Sequence, residues 1–246
     1  MTIKSSDPIP SEAVVLAGGL GKRLRQSVPD IPKPMAPIGD RPFLAHLLET
    51  LATQGIHRVI LSVGYKSQYF IDYFANSFMG MEILYAIEDK PMGTAGGIRL
   101  GLDLVLGDRA FILNGDTFFA VPLMQLENTL IKNSARVVMA VKPMDNCARY
   151  GAVHVSEDED GRIIGFREKG QVEAGLINGG VFLLSTDLRY DLVGCFSFET
   201  DFLQQQVGNM IMSAEIYDGY FIDIGIPEDY VAAQKFLVKQ TQQVIV

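Results

Sequence analysis

Apolar and polar residues follow one another in blocks through the first half of the chain. Short apolar runs that end at glycine or charged residues predict buried strands, and longer stretches with apolar residues three or four positions apart predict helices. The predicted strands are residues 12–17, 58–65, 81–88 and 110–116, and the predicted helices are residues 42–55, 67–78, 94–107 and 121–133. This alternation is typical of an α/β domain with a doubly wound, mostly parallel sheet and helices on both faces.

The pattern changes after about residue 136, where strand-like segments succeed one another with little helical sequence between them. These segments are RVVMAVKP, GAVHVSE, GRIIGFREKG and LINGGVFLLS. Asp160-Gly161 favours a hairpin, and helices are predicted again at 197–208 and 227–240. We therefore expect residues 12–246 to form a single domain whose second half adds antiparallel strands to the same sheet, after a flexible tail at residues 1–11.

Composition narrows the classes of partner. The chain has 246 residues and a net charge of −8, which argues against binding to nucleic acid or to an anionic membrane surface. It lacks an apolar stretch long enough to span a bilayer, and its N-terminus lacks the apolar core of a signal peptide. Cys147 and Cys195 lack the spacing of a metal or redox motif. We expect a cytoplasmic protein with reduced thiols.

The candidate chemistry begins in the turn after the first predicted strand, within AVVLAGGLGKRLRQSVPDIPKPMAPIG at residues 13–39. Glycines there let backbone N–H groups converge on an anion, the basic side chains can bind phosphate oxygens, and the prolines stiffen the segment that carries Lys33. A dinucleotide-binding fingerprint would need glycine where Leu24 stands, and a P-loop would need Ser or Thr where Arg23 follows Lys22. A phosphate-binding turn of another kind and a surface turn with exposed cations both stay open at this point.

The motifs of this chain resemble those of the sugar-1-phosphate nucleotidyltransferases. LAGGLGKRL followed by PKPMAPIGDRP is similar to the family's opening motif, although Lys22 stands where many relatives carry Ser or Thr. Further motifs follow in the family's order: GTAGGI, LNGD, FREKG, INGGVFLL and FIDIGIPEDY. The resemblance covers the chain from residue 12 onward. It implies the Rossmann-like, GT-A-like nucleotidyltransferase fold, and transfer of a nucleoside monophosphate from a triphosphate to a sugar 1-phosphate with release of pyrophosphate.

Within the family, KPMAPIGDRPFLAHLLETLATQGI, VILSVGYK and LNGDTFF resemble the guanylyltransferases of D-glycero-α-D-manno-heptose 1-phosphate. That resemblance implies GTP and this heptose phosphate as substrates, and a place in nucleotide-sugar biosynthesis for a capsule, lipopolysaccharide or S-layer glycan. A single-domain uridylyltransferase acting on a hexosamine or N-acetylmuramic acid 1-phosphate is one alternative. A catalytically inactive subunit that senses nucleotide sugars is another. Late helices often pair in such chains, so a homodimer is also considered.

The resemblance assigns catalytic roles as well. It implies that Asp116 and Asp223 hold Mg²⁺, a cation that prefers oxygen ligands and substrate phosphates. Arg23 would stabilise charge on the departing pyrophosphate, Lys33 would lie against the α-phosphate, and Lys169 would bind the sugar phosphate. Either aspartate could instead serve a turn or a helix cap.

We expect the remaining candidates to bind the nucleotide or the sugar. The nucleotide set is Leu16, Ala17, Gly18, Gly19, Gly21, Glu88, Gly93 and Thr94, and the sugar set is Gly151, Glu168, Asn178 and Glu199. We expect Glu88, at the end of the third strand, to accept hydrogen bonds from N1–H and the exocyclic amine of guanine, which uracil and cytosine cannot both supply. A solvent-facing strand end is the alternative for Glu88, and a solvated acid at a helix start is the alternative for Glu199.

Overall fold

The computed structural model describes residues 11–19, 31–157, 160–167, 170 and 174–243. Residues 1–10 of the predicted tail and residues 20–30 of the glycine-rich turn therefore lie outside the described residues.

Strands and helices alternate along the first half of the described chain, as the sequence pattern predicts. The strands are β1 (Glu12–Leu16), β2 (Pro37–Ile38), β3 (Arg41–Pro42), β4 (Arg58–Val63), β5 (Ser77–Phe78), β6 (Met81–Ile87), β7 (Arg109–Asn114), β8 (Thr117–Phe119), β9 (Val137–Met144), β10 (Ala152–Val155), β11 (Ile163–Arg167), β12 (Gly175–Ser185), β13 (Met212–Ile216) and β14 (Phe221–Asp223). The helices are α1 (Phe43–Thr53), α2 (Gln68–Phe74), α3 (Gly93–Leu102), α4 (Leu123–Asn133), α5 (Gln204–Gln206) and α6 (Pro227–Gln243).

The main sheet is mixed, and its parallel part comes from the first half of the chain. β7, β1, β4 and β6 lie side by side and run parallel. β12 pairs antiparallel with β7, and β9 and β10 pair antiparallel with β12. β13 returns parallel to β9, and β8 and β14 form a separate two-stranded antiparallel ladder. The predicted α/β fold, with antiparallel strands added by the second half, is confirmed.

Both faces of the sheet are buried under helices. Along β1, Ala13 and Val15 pack into one hydrophobic cluster with residues of α1, α2, α4 and α6. Val14, which points to the opposite face, packs into a second cluster with α3. Successive side chains of a strand point to opposite faces, so the unbroken apolar run AVVL at residues 13–16 of β1 fits a strand covered on both sides.

Three predicted helices end differently in the structure. The predicted helix 67–78 stops at Phe74, because Ala75 has a φ of 48° and Ser77–Phe78 forms strand β5 beside β6. The predicted helix 94–107 stops at Leu102, and the N–H groups of Leu106 and Gly107 instead donate to the carboxylate of Glu12. The predicted helix 197–208 is a π-helical segment, Phe198–Leu203, followed by α5.

The two cysteines, Cys147 and Cys195, are both free thiols. Within the part of the chain that the structure describes, no helix combines the length and apolar character needed to cross a bilayer.

Candidate active site

A cavity of about 520 Å³ lies at the carboxyl ends of the parallel strands. The strands are in register there, with Leu16 opposite both Ser62 and Asn114. Ligands of open α/β sheets bind at this edge. Many of the residues predicted from the sequence line the cavity: Leu16, Ala17, Gly18, Gly19, Lys33, Glu88, Gly93, Thr94, Asp116 and Glu199.

The strongest charge arrangement at the cavity is one ammonium group between two carboxylates. Lys33 Nζ lies 2.7 Å from Asp116 Oδ2 and 3.0 Å from Asp223 Oδ1. Lys33 begins a 3-10 turn that Pro34 stiffens, Asp116 follows β7, and Asp223 ends β14. The two aspartates are joined through the β8–β14 ladder, where Ile224 N donates to Asp116 O at 3.1 Å. Local turn chemistry and tertiary pairing together place two aspartates, distant from Lys33 in sequence, around its charge.

Glu88 and Ser62 give the cavity polar groups of a different kind. Glu88 Oε2 accepts from Met92 N at 3.2 Å, and burial raises the pKa of the carboxyl although this hydrogen bond opposes the shift. Ser62 is 1% exposed, and its Oγ has no hydrogen-bond partner among the described residues. A Cβ on Gly97 would lie 3.0 Å from both Glu88 Oε1 and Ser62 Oγ, so glycine keeps the space beside these two groups open. Ser62 was not predicted from the sequence, where it is the one polar residue in the apolar run VILSV.

Residues 12–240 match the family described as Nucleotidyl transferase. The chain belongs to the nucleotidyl transferase family. It is 47% identical to the D-glycero-α-D-manno-heptose 1-phosphate guanylyltransferase of Campylobacter jejuni, over 89% of this chain and 96% of that protein. It is 44% identical to the protein of the same name from Aneurinibacillus thermoaerophilus, over 92% of this chain and 98% of that protein. A crystal structure of HddC from Yersinia pseudotuberculosis complexed with GMP-PN superposes with a TM-score of 0.80 at 36% identity, covering 91% of this chain and 98% of HddC.

In the wall of the cavity, Thr94 forms hydrogen bonds with both Glu199 and Phe198. Thr94 Oγ1 donates to Glu199 Oε2 at 2.8 Å and accepts from Phe198 N at 2.7 Å. Ser197 Oγ donates to the same Glu199 oxygen at 3.2 Å. The structure thus places Glu199, which the sequence assigned to the sugar, against the predicted nucleotide-binding residue Thr94.

Arg149 is a charged residue of this nucleotidyl transferase that sequence reasoning missed. Its guanidinium bonds to the carboxylate of Asp229, and its Nη2 lies 3.3 Å from Asp223 O and 3.4 Å from Asp223 Oδ2. Burial opposes its charge, but Asp229 and the nearby groups outweigh this and raise the pKa of Arg149. Its position two residues before Gly151 in the sequence is the signal that could have found it.

The other predicted residues lie elsewhere. Asn178 Oδ1 accepts from Gly180 N at 2.8 Å within β12, and Gly151, with a φ of 78°, precedes β10. Neither lines the cavity. Four predicted residues lie outside the described residues: Gly21, Arg23, Glu168 and Lys169.

Proposed function

We propose that this nucleotidyl transferase is a guanylyltransferase that transfers GMP from GTP to D-glycero-α-D-manno-heptose 1-phosphate and releases pyrophosphate. Two relatives named for this activity, at 47% and 44% identity over nearly their whole lengths, support the sugar and the base together. The observation in this structure that carries the proposal is the Lys33 ammonium shared by Asp116 and Asp223, in the wall of the cavity that also holds Glu88.

The proposed reaction must bring two polyanions together. A phosphate oxygen of the sugar 1-phosphate attacks the α-phosphorus of GTP, and a new P–O bond forms. The bond from the α-phosphorus to the bridging oxygen breaks, and pyrophosphate leaves with the electron pair. Lys33 lies in the wall of the cavity beside both carboxylates, so its charge is close to the place where the α-phosphate would bind and can stabilise it there.

The donor set of Asp116 and Asp223 fits Mg²⁺, because oxygens of both carboxylates already converge on one cation, the Lys33 ammonium. Among the described residues, no three His, Cys, Asp or Glu side chains come together as a complete metal site. Substrate phosphates and water would therefore supply the remaining ligands, as is common for Mg²⁺. When bound, the ion would withdraw charge from phosphate oxygens.

The base preference is proposed from the chemistry of Glu88. A carboxylate offers acceptors only, and guanine presents two adjacent donors, N1–H and the exocyclic amine. The unpartnered hydroxyl of Ser62 lies beside the same open space. Uracil has one such donor, so the site favours GTP over UTP.

The roles of Arg23, Lys169, Glu168, Gly151 and Asn178 stay proposals drawn from the family resemblance. Because GTP is a cytoplasmic metabolite, we propose the cytoplasm as the place of the reaction. The homodimer stays a prediction, which the mass of the protein in solution tests.

The test is pyrophosphate release from each of the four nucleoside triphosphates, with heptose, mannose, N-acetylglucosamine and N-acetylmuramic acid 1-phosphates as acceptors. We expect GTP with the heptose phosphate to give the highest kcat/KM. A wide preference for UTP with a hexosamine or muramic acid phosphate would instead identify the uridylyltransferase.

The inactive sensing subunit is tested with Asp116→Asn. If the protein is an enzyme, this variant keeps its thermal unfolding temperature and loses about 100-fold or more in turnover, because a metal-binding carboxylate is gone. Nucleotide-sugar binding without turnover in the unsubstituted protein would favour the sensing role.

A further inference from the structure

Asp223 presents its two carboxylate oxygens to two different cations. Oδ1 accepts from Lys33 Nζ at 3.0 Å and from Gly225 N at 2.8 Å. Oδ2 faces Arg149 Nη2 at 3.4 Å, and the same nitrogen lies 3.3 Å from the backbone oxygen of Asp223. A planar guanidinium that contacts both the side chain and the backbone of one residue restricts the rotation of its carboxylate.

Arg149 is itself anchored at two points. Its Nη1 binds the carboxylate of Asp229, in the first turn of α6. Its neighbour Tyr150 packs edge-on against Phe221 of β14, with ring centroids 5.6 Å apart. The segment between β9 and β10 is therefore attached to both sides of Asp223.

Gly225 provides the room for both cations. A Cβ at this position would lie 3.2 Å from Lys33 Nζ, 3.3 Å from Arg149 Nη2 and 3.0 Å from Asp223 Oδ1. These distances are shorter than ordinary contacts to a side-chain carbon. The absence of a side chain at Gly225 lets Lys33 and Arg149 approach the same carboxylate from two directions.

We propose that Arg149 is a positioning residue, which holds Asp223 so that Oδ1 faces the cation position shared with Asp116. It also ties the segment that ends at Gly151, a proposed sugar contact, to the same carboxylate. The proposal rests on the proposed function for the reaction that this site serves. When Lys33 turns to a phosphate, Arg149 stays on the other oxygen and keeps Asp223 from rotating away from Asp116.

A positioning role and a purely electrostatic role predict opposite changes in metal affinity when Arg149 is removed. A nearby positive charge repels a metal ion, so a purely electrostatic role predicts that Mn²⁺ binds more tightly to Arg149→Gln. A positioning role predicts weaker binding, because partners that orient metal ligands contribute about 10- to 100-fold in metal affinity or activity.

The experiment measures Mn²⁺ binding by the electron paramagnetic resonance signal of free Mn²⁺, with a non-hydrolysable GTP analogue present and absent. We expect Arg149→Gln to weaken binding about 10-fold or more.

Arg149→Lys should restore part of the affinity, because it keeps the charge without the two-pronged geometry. Asp229→Asn should weaken binding in the same direction by loosening the anchor of Arg149. The matched control is Arg136→Gln, which removes an exposed arginine that bridges Asp187 and Asp191 at 3.2 Å, and it should bind as the unsubstituted protein does.

Steady-state kinetics gives a second readout. Arg149→Gln should lower kcat and raise KM for the heptose phosphate, with little change in KM for GTP. Unchanged or tighter Mn²⁺ binding in a folded Arg149→Gln protein overturns the proposal, as does absence of Mn²⁺ binding to the unsubstituted protein. If thermal unfolding shows that Arg149→Gln does not fold, Arg149→Lys decides by the same measurement, because it keeps the charge: unchanged Mn²⁺ affinity overturns the positioning role, and weaker binding supports it. Mn²⁺ binding without pyrophosphate release from GTP would contradict the proposed function alone, and the comparison of variants would still decide on Arg149.

Discussion

Lys33 and Asp116 form an ion pair across 83 positions of sequence, with 2.7 Å between Nζ and Oδ2. The side chain of Lys33 is 12% exposed, and that of Asp116 is 37% exposed. Asp223 is the second partner of the same ammonium, so two carboxylates surround a lysine that is largely removed from water. Under the proposed function, the ammonium occupies the position where the two carboxylates would share a metal ion, and the two cations would compete for the same oxygens.

Replacement of Lys33 by Met separates the effect of its charge on catalysis from its competition with a metal ion. We expect Lys33→Met to lower pyrophosphate release by about 100-fold or more, because a fixed charge at the α-phosphate is lost. In the absence of nucleotide, the same variant should bind Mn²⁺ more tightly, since the competing ammonium is gone. Lys132→Gln, which removes an exposed lysine at the end of α4, is the control. Weaker Mn²⁺ binding to Lys33→Met would show that Lys33 organises the carboxylates and does not compete for them.

Replacement of Glu88 by Gln tests whether the Glu88 carboxylate recognises the guanine base. The amide supplies one acceptor oxygen in place of two, so kcat/KM for GTP should fall about 10- to 100-fold, as expected for loss of a charge-assisted hydrogen bond. The ratio of GTP to UTP turnover should fall with it. Glu82→Gln is the matched control on β6, the strand that precedes Glu88, because Glu82 is 57% exposed and pairs with Arg58. An unchanged base ratio in Glu88→Gln would remove Glu88 from base recognition.

Glu88 also predicts a pH dependence of stability. Burial raises the pKa of its carboxyl in the folded protein above the ordinary value of 4.5. Between these two pKa values the folded protein binds more protons than the unfolded chain, so this group makes the free energy of unfolding fall as pH rises. Urea unfolding of the ligand-free protein should show that Glu88→Gln gains stability relative to the unsubstituted protein as pH rises from about 4 towards neutral, and that the difference then levels off. Parallel pH profiles for the two proteins would contradict this account.

Removal of the buried Ser62 hydroxyl is expected not to destabilise the free protein. Its buried hydroxyl has no partner among the described residues, so Ser62→Ala should leave the free protein as stable or up to about 1 kcal/mol more stable. The same change should weaken binding of a GTP analogue a few-fold, which calorimetry would measure. Ser213→Ala is the matched control, because Ser213 is equally buried and accepts from Asn133 Nδ2 at 3.0 Å. This control should destabilise the protein by about 0.5–1.5 kcal/mol, and a similar loss in Ser62→Ala would mean that its hydroxyl has a structural partner.

Helix ends show where the sequence pattern loses its predictive power. The helix predicted for 67–78 keeps an apolar periodicity beyond Phe74, yet Phe78 belongs to β5, where its ring packs 5.1 Å from that of Phe74. A short apolar run suits a helix and an edge strand equally, and only the neighbouring strand β6 decides between them.

Arg149 and Ser62 show the same limit within the site. An arginine in a polar segment and a serine in an apolar strand carry no local pattern that indicates chemistry. Arg149 is important because it contacts Asp223, which is far from it in sequence. Ser62 is important because it and Glu88 border the same open space beside Gly97.

The sequence by itself determined the α/β fold, the family, and the residue types available for phosphate and metal chemistry, because periodicity and motif spacing are local properties of the chain. Only the tertiary structure decided that Lys33 binds both Asp116 and Asp223, that Arg149 holds the second of them, and that Glu199 bonds to Thr94. These relationships depend on which strand ends meet at one edge of the sheet. That meeting is set by burial and hydrogen bonding over the whole domain, which no short stretch of sequence encodes.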